Sequence, residues 1–389
     1  MDSIIAEVAK HFGDLVVSRG NKHTFLGIHF EIDNGLFRLN MKEKILEAID
    51  TFGDDVSLHV TSPATKNLRE VDETSQQLGK EKSMTFHSVV AKLLFIAKRA
   101  RPDVDLTIQF LCTRVSKSTI EDWGKLKRCL QFLNSTIDEV RIIGVESLTD
   151  LYTWIDAAYA VYPDMKSQTG GCMSYGLGIL HGKAVKQKLN TKSSTEAEIV
   201  GMSDYLPYNI WMLYFLEHQG YKIMRNVVYQ DNQSEIRMET NGRNSCTGNS
   251  RHINIKFFFV KDRVKSEEII IVYCPTHLML ADYYTKPLQG NLFKVFWKVI
   301  MGHAPISSLA STYVTKKEYV ENQDQSVLFV NNTKKDAQRT SSNQEQKSNL
   351  PPTPKSTVRN VTEKLLSTVE KVAVKDTYCS IASRGIRGR

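Results

Sequence analysis

The chain has 389 residues, enough for two or three domains, and 41% of them are apolar, which is sufficient to build real cores. Charged residues make up 24%, which excludes a wholly disordered polymer, and the net charge of +8 favours a polyanionic partner such as nucleic acid or an anionic membrane surface. The six cysteines form no Cys-x-x-Cys pair, which argues against a zinc site and indicates a reducing compartment. Without a membrane-length apolar run or a signal-peptide layout, we expect a cytoplasmic or nuclear protein with no membrane partner.

The first part of the chain mixes short helix and strand patterns. Helical spacing predicts a first helix ending near Phe12, and alternation over KHTFLGIHFEID and GLFRLNM predicts a hairpin closed at Asn34-Gly35. A second helix is predicted in KEKILEAIDTF, and the polar residues 56–83 indicate a loop.

Residues 86–137 are predicted to be helical. The pattern breaks at Pro102 and resumes in DLTIQFLCTRV, and a Ser-Thr cap with an acidic first turn opens the next helix. We interpret residues 63–148 as a helical connection with a basic outer face.

Residues 149–303 change period and predict a mixed α/β unit. Three successive strands in LYTWIDAAYAV, GGCMSYGLGIL and KAVKQKLN precede a long helix that ends at Gly220. A strand in NVVYQDN, two helices, a strand in EEIIIVYCP and a last helical region interrupted at Pro287 follow, and helical crossovers predict that the later strands are parallel. The polar composition of residues 304–389 indicates a disordered polar and basic tail.

Four acidic residues stand at notable positions in this unit. Asp156 lies in the middle of the apolar first strand, Glu198 in the first turn of the long helix, Asp231 at the end of the fourth strand and Asp282 at the start of the last helical region. Carboxylates that converge repel one another unless cations are bound, and a set of hard oxygen ligands without Cys or His indicates Mg²⁺ or Mn²⁺. Two such ions could activate water and stabilise the leaving oxygen of a phosphodiester. Each acid also has an ordinary explanation, because Asp forms turns and Glu complements the helix dipole.

The strings WIDAAYAV, TKSSTEAEIVGMS, VVYQDNQS and LADYYTKPL resemble the ribonuclease H (RNase H) domain of copia-type retrotransposon polyproteins. The resemblance implies an RNase H-like mixed five-stranded sheet with flanking helices. It also implies two-metal cleavage of the RNA strand of RNA–DNA hybrids, with the four acids as catalytic metal ligands. Glu196 and Glu198 point about 200° apart on a helix, so only one can face the metals; the motif favours Glu198.

Three further residues are candidates for the same site. His277 could shuttle protons, although copia-type enzymes usually lack a histidine there. Arg251 and His252 resemble a basic family segment and could contact phosphate or serve a structural surface role. Two departures from the family pattern put activity in doubt: Pro207 is predicted to kink the long helix, and Glu235 adds a negative charge near Asp231.

Residues 1–62 resemble the reverse transcriptase segment that follows the polymerase site, so a partial palm and connection region should precede the nuclease unit. Phe52-Gly53-Asp54-Asp55 imitates a polymerase signature but follows a helix, which favours a loop and predicts no polymerase activity from this chain. Two alternatives to an independent nuclease stay open. One is an inactive element relic that binds nucleic acid, and the other is a fragment that works beside a full-length reverse transcriptase subunit. The expected location is the cytoplasm, including virus-like particles, or the nucleus.

Overall fold

The computed structural model describes residues 2–232 and 251–309; for residues 251–255 and 257 it describes the backbone alone. Within these ranges the chain builds two five-stranded sheets with helices packed against them, an α/β architecture compatible with an RNase H-like fold. No helix in the described parts of the chain is long and apolar enough to cross a bilayer.

The smaller sheet begins in the first part of the chain. Helix α1 (Asp2–Phe12) precedes strands β1 (Lys22–Phe25), β2 (Ile28–Asp33) and β3 (Leu36–Asn40). The predicted turn at Asn34-Gly35 is confirmed, since both residues have positive φ as a tight hairpin requires. KHTFLGIHFEID was expected to be one strand. It is itself a hairpin, because Leu26 and Gly27 also adopt positive φ.

The second predicted helix is present as α2 (Lys42–Phe52). The helical region predicted over residues 86–137 is also present and starts slightly earlier than expected. Its helices are α3 (Lys80–Ala97), α4 (Asp105–Cys112) and α5 (Ile120–Ser135). The cap that the sequence indicates at the start of α5 is a full capping box, in which Thr119 and Asp122 bond each other's backbone amides.

The segment predicted to be purely helical also supplies a strand that the sequence analysis missed. Strand β4 (Arg141–Val145) pairs with β3 and with the two-residue β7 (Gly176–Leu177), which gives the order β1-β2-β3-β4-β7. Three of its five residues pair with β3, about a hundred positions earlier, and the other two pair with β7. No local sequence pattern indicates such pairings. The smaller sheet therefore joins residues 22–40 to residues within the predicted nuclease unit.

The larger sheet contains the predicted strands. It is formed by β5 (Asp150–Ala158), β6 (Gln168–Ser174), β8 (His181–Lys186), β9 (Arg225–Gln230) and β10 (Ile270–Tyr273), in the order β10-β9-β5-β6-β8. Strands β5, β6 and β8 are antiparallel, whereas β9 lies parallel to both β5 and β10. The prediction that the later strands are parallel is confirmed.

Helices cover both faces of the larger sheet. Helices α6 (Ser194–His218) and α8 (Asp282–Thr285) contact its strands, and α7 (Arg251–Lys265) packs against α6. Helix α9 (Gly290–Ile300) follows and contacts residues 102–104 of the helical region. Successive residues of a strand point to opposite faces, and a side chain at Gly171 would meet Tyr205 of α6, whereas one at Gly170 would meet Thr285 of α8. Helices α6 and α8 therefore lie on opposite faces. The predicted core face of α6 is buried, namely Ile199, Met202, Leu206, Ile210 and Leu213.

A buried ion pair joins the helical region to α9. Arg101 and Asp103 are 1% and 2% exposed and share a two-pronged contact, with Nη2 2.8 Å from Oδ2. The same Oδ2 accepts a hydrogen bond from Nε1 of Trp297 at 2.9 Å. Arg101 also donates to the backbone oxygen and hydroxyl of Thr136. Each partner pairs with the other's charge, so removal of one leaves a buried ion without its paired partner.

Asp103→Asn should lower the free energy of unfolding by about 3–5 kcal/mol, the cost of breaking a buried pair from one side. Urea titration followed by circular dichroism measures the change. Asp138→Asn is the matched control, because Asp138 pairs with Lys42 but is 81% exposed, and its loss should cost no more than about 1 kcal/mol. Equal, small effects from both variants would contradict the assignment.

Candidate active site

Two of the predicted acids are brought together by the parallel pairing of β5 with β9. Trp154 lies opposite Tyr229 in the register, so Asp156 and Asp231, each two residues further on, project from the same face of neighbouring strands. Asp156 is 2% exposed, and Asp231 directly follows the end of β9. Together with Glu198 they form a group of three, whose nearest carboxylate oxygens all lie within 4.8 Å of one another.

The two glutamates in the first turns of α6 have different positions. The Glu196 carboxylate turns back to accept a hydrogen bond from the backbone N–H of Lys192 at 2.7 Å, while its own N–H donates to the Ser193 hydroxyl. Glu196 therefore takes part in the N-terminal cap of α6, with Ser193 as the capping residue. Glu198 instead is 6% exposed and lies beside Asp156. The structure therefore brings Glu198, and not Glu196, into the acidic cluster.

Asp282 is the first residue of α8 and lies at the edge of this group. It is 2% exposed, and its Oδ1 accepts a hydrogen bond from Nζ of Lys286 at 2.7 Å. The same ammonium lies 3.8 Å from Oδ2 of Asp156. One turn of α8 thus places a carboxylate and a cation beside the strand acids.

Thr285, the last residue of α8, donates its hydroxyl to Oδ2 of Asp156. Asp156 lies opposite Gly170 on the neighbouring strand β6. A Cβ at Gly170 would come within 2.5 Å of the Thr285 methyl and 3.0 Å of the Ala281 carbonyl oxygen. Gly170 is therefore required for α8 to approach the sheet closely enough for this hydrogen bond.

A second glycine allows α6 to approach the other face. A Cβ at Gly201 would lie 3.2 Å from the Cβ of Ala157 and 3.7 Å from the backbone oxygen of Asp156. Gly201 is one turn beyond Glu198 on the same helix. The close approach at this position brings the Glu198 carboxylate to the end of β5, where the backbone of Ala157 donates to it.

The clustered acids resist ionisation. Burial, followed by the charges of Asp156 and Asp231, raises the pKa of Glu198 well above its ordinary value. Burial and Asp156 also raise the pKa of Asp231, and they raise that of Asp282 to about 7 although Lys286 opposes the shift. Burial lowers the pKa of Lys286, but the carboxylates of Asp156 and Asp282 outweigh it and the pKa is raised.

One carboxylate oxygen of the cluster has no partner among the described residues. Oε2 of Glu198 is buried and accepts no hydrogen bond. A buried anion without a donor is costly unless a cation or a proton neutralises it. The ligand set contains only oxygens, as Mg²⁺ and Mn²⁺ prefer, so the residues present fit the predicted metal.

The remaining candidates lie around this cluster or outside the described residues. His277 is exposed on the turn between β10 and α8, next to Thr276, whose hydroxyl is 3.5 Å from Oδ2 of Asp231. Arg251 and His252 begin α7, but their side chains lie outside the described residues, as does Glu235. Helix α6 continues past Pro207, which lies on its exposed side.

The acidic pair within Phe52-Gly53-Asp54-Asp55 belongs to a helix end, as the sequence predicts. Gly53 terminates α2 in the left-handed conformation. Asp54 accepts a hydrogen bond from Nε1 of Trp123 at 2.8 Å, and Asp55 accepts one from the backbone N–H of Ser57. Both carboxylates therefore have local structural partners.

Sequence reasoning missed the groups that support the acids: Gly170, Gly201, Thr285 and Lys286. Thr285 and Lys286 stand in the LADYYTK string, and Gly170 stands in the Gly-Gly pair of β6, so the residues were visible. Their roles depend on which residue faces them across the sheet, and that information lies in the tertiary structure alone.

Comparison with known proteins identifies relatives among retrotransposons. The chain is 23% identical over 291 residues to the retrovirus-related Pol polyprotein from transposon TNT 1-94 of Nicotiana tabacum, a match that covers 75% of the chain and 21% of that protein. It is 28% identical over 217 residues to the Pol polyprotein from transposon RE2 of Arabidopsis thaliana, covering 55% of the chain and 15% of that protein. The transposon Ty1-JR1 Gag-Pol polyprotein of Saccharomyces cerevisiae matches at 22% over 311 residues, covering 75% and 18%. No model of a protein family matches the chain.

These matches define a retroelement-derived protein. The homologues are Pol polyproteins of copia-type retrotransposons, so the predicted resemblance to copia-type polyproteins is confirmed. The chain spans about a fifth of the length of the relatives it matches.

The raised pKa of Asp282 predicts a pH dependence of stability in chelator-treated protein. Between pH 4 and about 7 the folded chain retains a proton that the unfolded chain has lost, so the free energy of unfolding falls as pH rises through this window. Asp282→Asn cannot titrate, and its stability relative to wild type should rise across the window by roughly 1–3 kcal/mol, at 1.36 kcal/mol per pKa unit. Urea titrations at both ends of the window measure it.

Asp164→Asn is the control of opposite sign. Burial would raise the pKa of Asp164, but the ion pair with Lys186 outweighs it and the pKa is lowered, so this variant should lose stability relative to wild type as pH rises towards about 4, below the window of Asp282, and should change little within that window. The free energies of unfolding of wild type and Asp282→Asn are then compared at each pH. If their difference does not change with pH, the cluster does not raise the pKa of Asp282.

Proposed function

We propose that the chain is an RNase H-type endonuclease that hydrolyses the RNA strand of RNA–DNA hybrids. The observation that carries the proposal is the convergence of the buried carboxylates of Asp156 and Glu198 with the half-buried carboxylate of Asp231, within 4.8 Å, with one oxygen of Glu198 unpartnered among the described residues. The acids lie on strands and helices in the order that the RNase H resemblance implies. The similarity to Pol polyproteins of retrotransposons supports the same proposal.

Mg²⁺ or Mn²⁺ would be held by Asp156, Glu198, Asp231 and Asp282. A pair of such ions supplies an activated water and charge stabilisation for the leaving oxygen of a phosphodiester. The chain itself holds the ligands in place: Thr285 orients Asp156, Lys286 orients Asp282, and the Glu196 cap fixes the start of the helix that carries Glu198. Such supporting bonds fix ligand orientation and tune affinity.

For substrate recognition we propose shape and backbone contacts rather than base reading. A hybrid presents 2′-hydroxyls and phosphates in a wide minor groove, and a chain of net charge +8 gains affinity from phosphate contacts that weaken as salt is added. Arg251, His252 and His277 are the residues we propose to lie near the substrate. Residues 1–62 and 63–148 correspond in this proposal to the reverse transcriptase remnant and the connection.

The second candidate is an inactive relic that binds nucleic acid. Pro207 and Glu235, which depart from the family pattern, favour it. Pro207 is accommodated on the exposed side of α6, so this departure does not reach the cluster. Hybrid binding without metal-dependent cleavage by folded protein would select the relic. Cleavage that appears only after a full-length reverse transcriptase subunit is added would select the assembly fragment.

Asp156→Asn and Glu198→Gln should each reduce cleavage of a labelled RNA–DNA hybrid in Mg²⁺ or Mn²⁺ by about 100-fold or more, since each removes a ligand charge from the metal site. Glu196→Gln is the matched control two residues away. It keeps an oxygen acceptor for the Lys192 amide and should retain activity within a few-fold. Loss of activity in Glu196→Gln but not in Glu198→Gln would reverse the helix assignment, and absence of cleavage in wild type would defeat the enzyme proposal.

A further inference from the structure

The backbone carbonyls at the end of α8 are held by side chains from two different parts of the chain. Carbonyls in the last turn of a helix have no partner within the helix and need donors from elsewhere. Nε2 of Gln168, on β6, lies 3.3 Å from the Tyr284 oxygen. Nη2 of Arg69 donates to the Thr285 oxygen at 2.6 Å.

Arg69 reaches α8 from a segment that precedes the larger sheet by about eighty residues. Residues 62–69 follow α2, and they also contact the loop after α8. Nε2 of Gln289 donates to the Ala64 oxygen at 2.8 Å, and the hydroxyl of Ser62 lies 3.1 Å from Oε1 of Gln289. Residues 62–69 therefore form hydrogen bonds with both ends of the segment from Thr285 to Gln289.

The position of Arg69 also brings a positive charge towards the acids. Its guanidinium carbon lies 5.7 Å from the centre of the Tyr162 ring, and the hydroxyl of Tyr162 donates to Gln168. Burial lowers the pKa of Arg69, and the charge of Asp156 acts in the opposite direction. A guanidinium remains protonated at any physiological pH, so this charge is a permanent part of the site's surroundings.

We infer that Arg69 is a positioning residue for the carboxylate cluster. It fixes the Thr285 peptide so that the Thr285 hydroxyl donates to Asp156, and this positioning of the ligand outweighs the repulsion between the guanidinium charge and the cation. The cluster thus depends on a residue outside the predicted RNase H-like segment. This inference rests on the proposed function, and it concerns the affinity of the site for its cation.

The test measures Mn²⁺ affinity of the full chain without using catalysis. The rise in melting temperature with MnCl₂ gives the dissociation constant, because a ligand that binds only the folded state stabilises it in proportion to RT ln(1 + [L]/Kd). Wild type, Arg69→Gln, Thr285→Val and the double variant form a double-mutant cycle. Arg128→Gln is the matched control, because Arg128 contacts Ser62 of the same segment and no residue of α8.

Arg69→Gln should weaken Mn²⁺ binding about 10-fold, and Thr285→Val by about 10-fold or more, within the range for outer partners of metal ligands. The double variant should bind no more than about 2-fold more weakly than Thr285→Val alone, since both changes remove one pathway. Arg69→Lys, which keeps the charge and one donor, should recover part of the affinity. Arg128→Gln should bind as wild type does.

Equal Mn²⁺ affinity in wild type and Arg69→Gln would overturn the inference, as would fully additive effects in the cycle. If Arg69→Gln does not fold, Arg69→Lys takes its place in the test. Its Mn²⁺ affinity is compared with that of wild type and of Thr285→Val, and an affinity equal to that of wild type overturns the inference. Wild type that binds Mn²⁺ without cleaving hybrid would remove the proposed function and leave the role of Arg69 intact. Hybrid cleavage by wild type, together with unchanged Mn²⁺ affinity in Arg69→Gln, would leave the proposed function intact and remove the role of Arg69.

Discussion

Electrostatic repulsion between buried carboxylates is the constraint that the surroundings of the site must satisfy. Asp156, Glu198 and Asp231 converge within 4.8 Å, and Asp282 is coupled to them electrostatically. The chain offsets part of this repulsion with one ammonium, that of Lys286, and with the Thr285 hydroxyl. The offset is incomplete, since the pKa values of Glu198, Asp231 and Asp282 stay raised and one Glu198 oxygen is unpartnered among the described residues. A divalent cation is the ligand that this residual charge favours.

Steric constraints decide whether the charges can meet. The cluster needs helices on both faces of the sheet to come close to β5, and each approach passes over a glycine. Gly201 lets α6 contact Ala157, and Gly170 lets α8 deliver its hydroxyl to Asp156. Any larger residue at Gly170 would push the helix away from the sheet. The hydrogen bond to Asp156 therefore depends on an absent side chain as much as on those present.

Local patterns in the sequence predicted most of the larger sheet, because its strands and α6 carry their own periodicity and caps. The four acids were recognisable from their motifs and from their order along the strands and helices, and the choice between Glu196 and Glu198 rested on a motif because periodicity could not decide it. Strand β4 was missed because its pairing with β3 spans a hundred residues. The roles of Thr285, Lys286 and Arg69 could not be derived either, since each depends on a partner that only the folded chain brings near.

Folding alone does not explain the acidic cluster. Buried ions that are incompletely compensated destabilise a protein, and apolar replacements of similar volume are often neutral or stabilising. A chain selected only to fold and to hold nucleic acid would gain stability by losing Glu198 or Asp282, and with them the need for Lys286. The structure instead retains the acids, the groups that orient them and the glycines that admit those groups, including Arg69 from a separate segment. Their joint presence is the physical argument that favours a working metal site over an inert remnant.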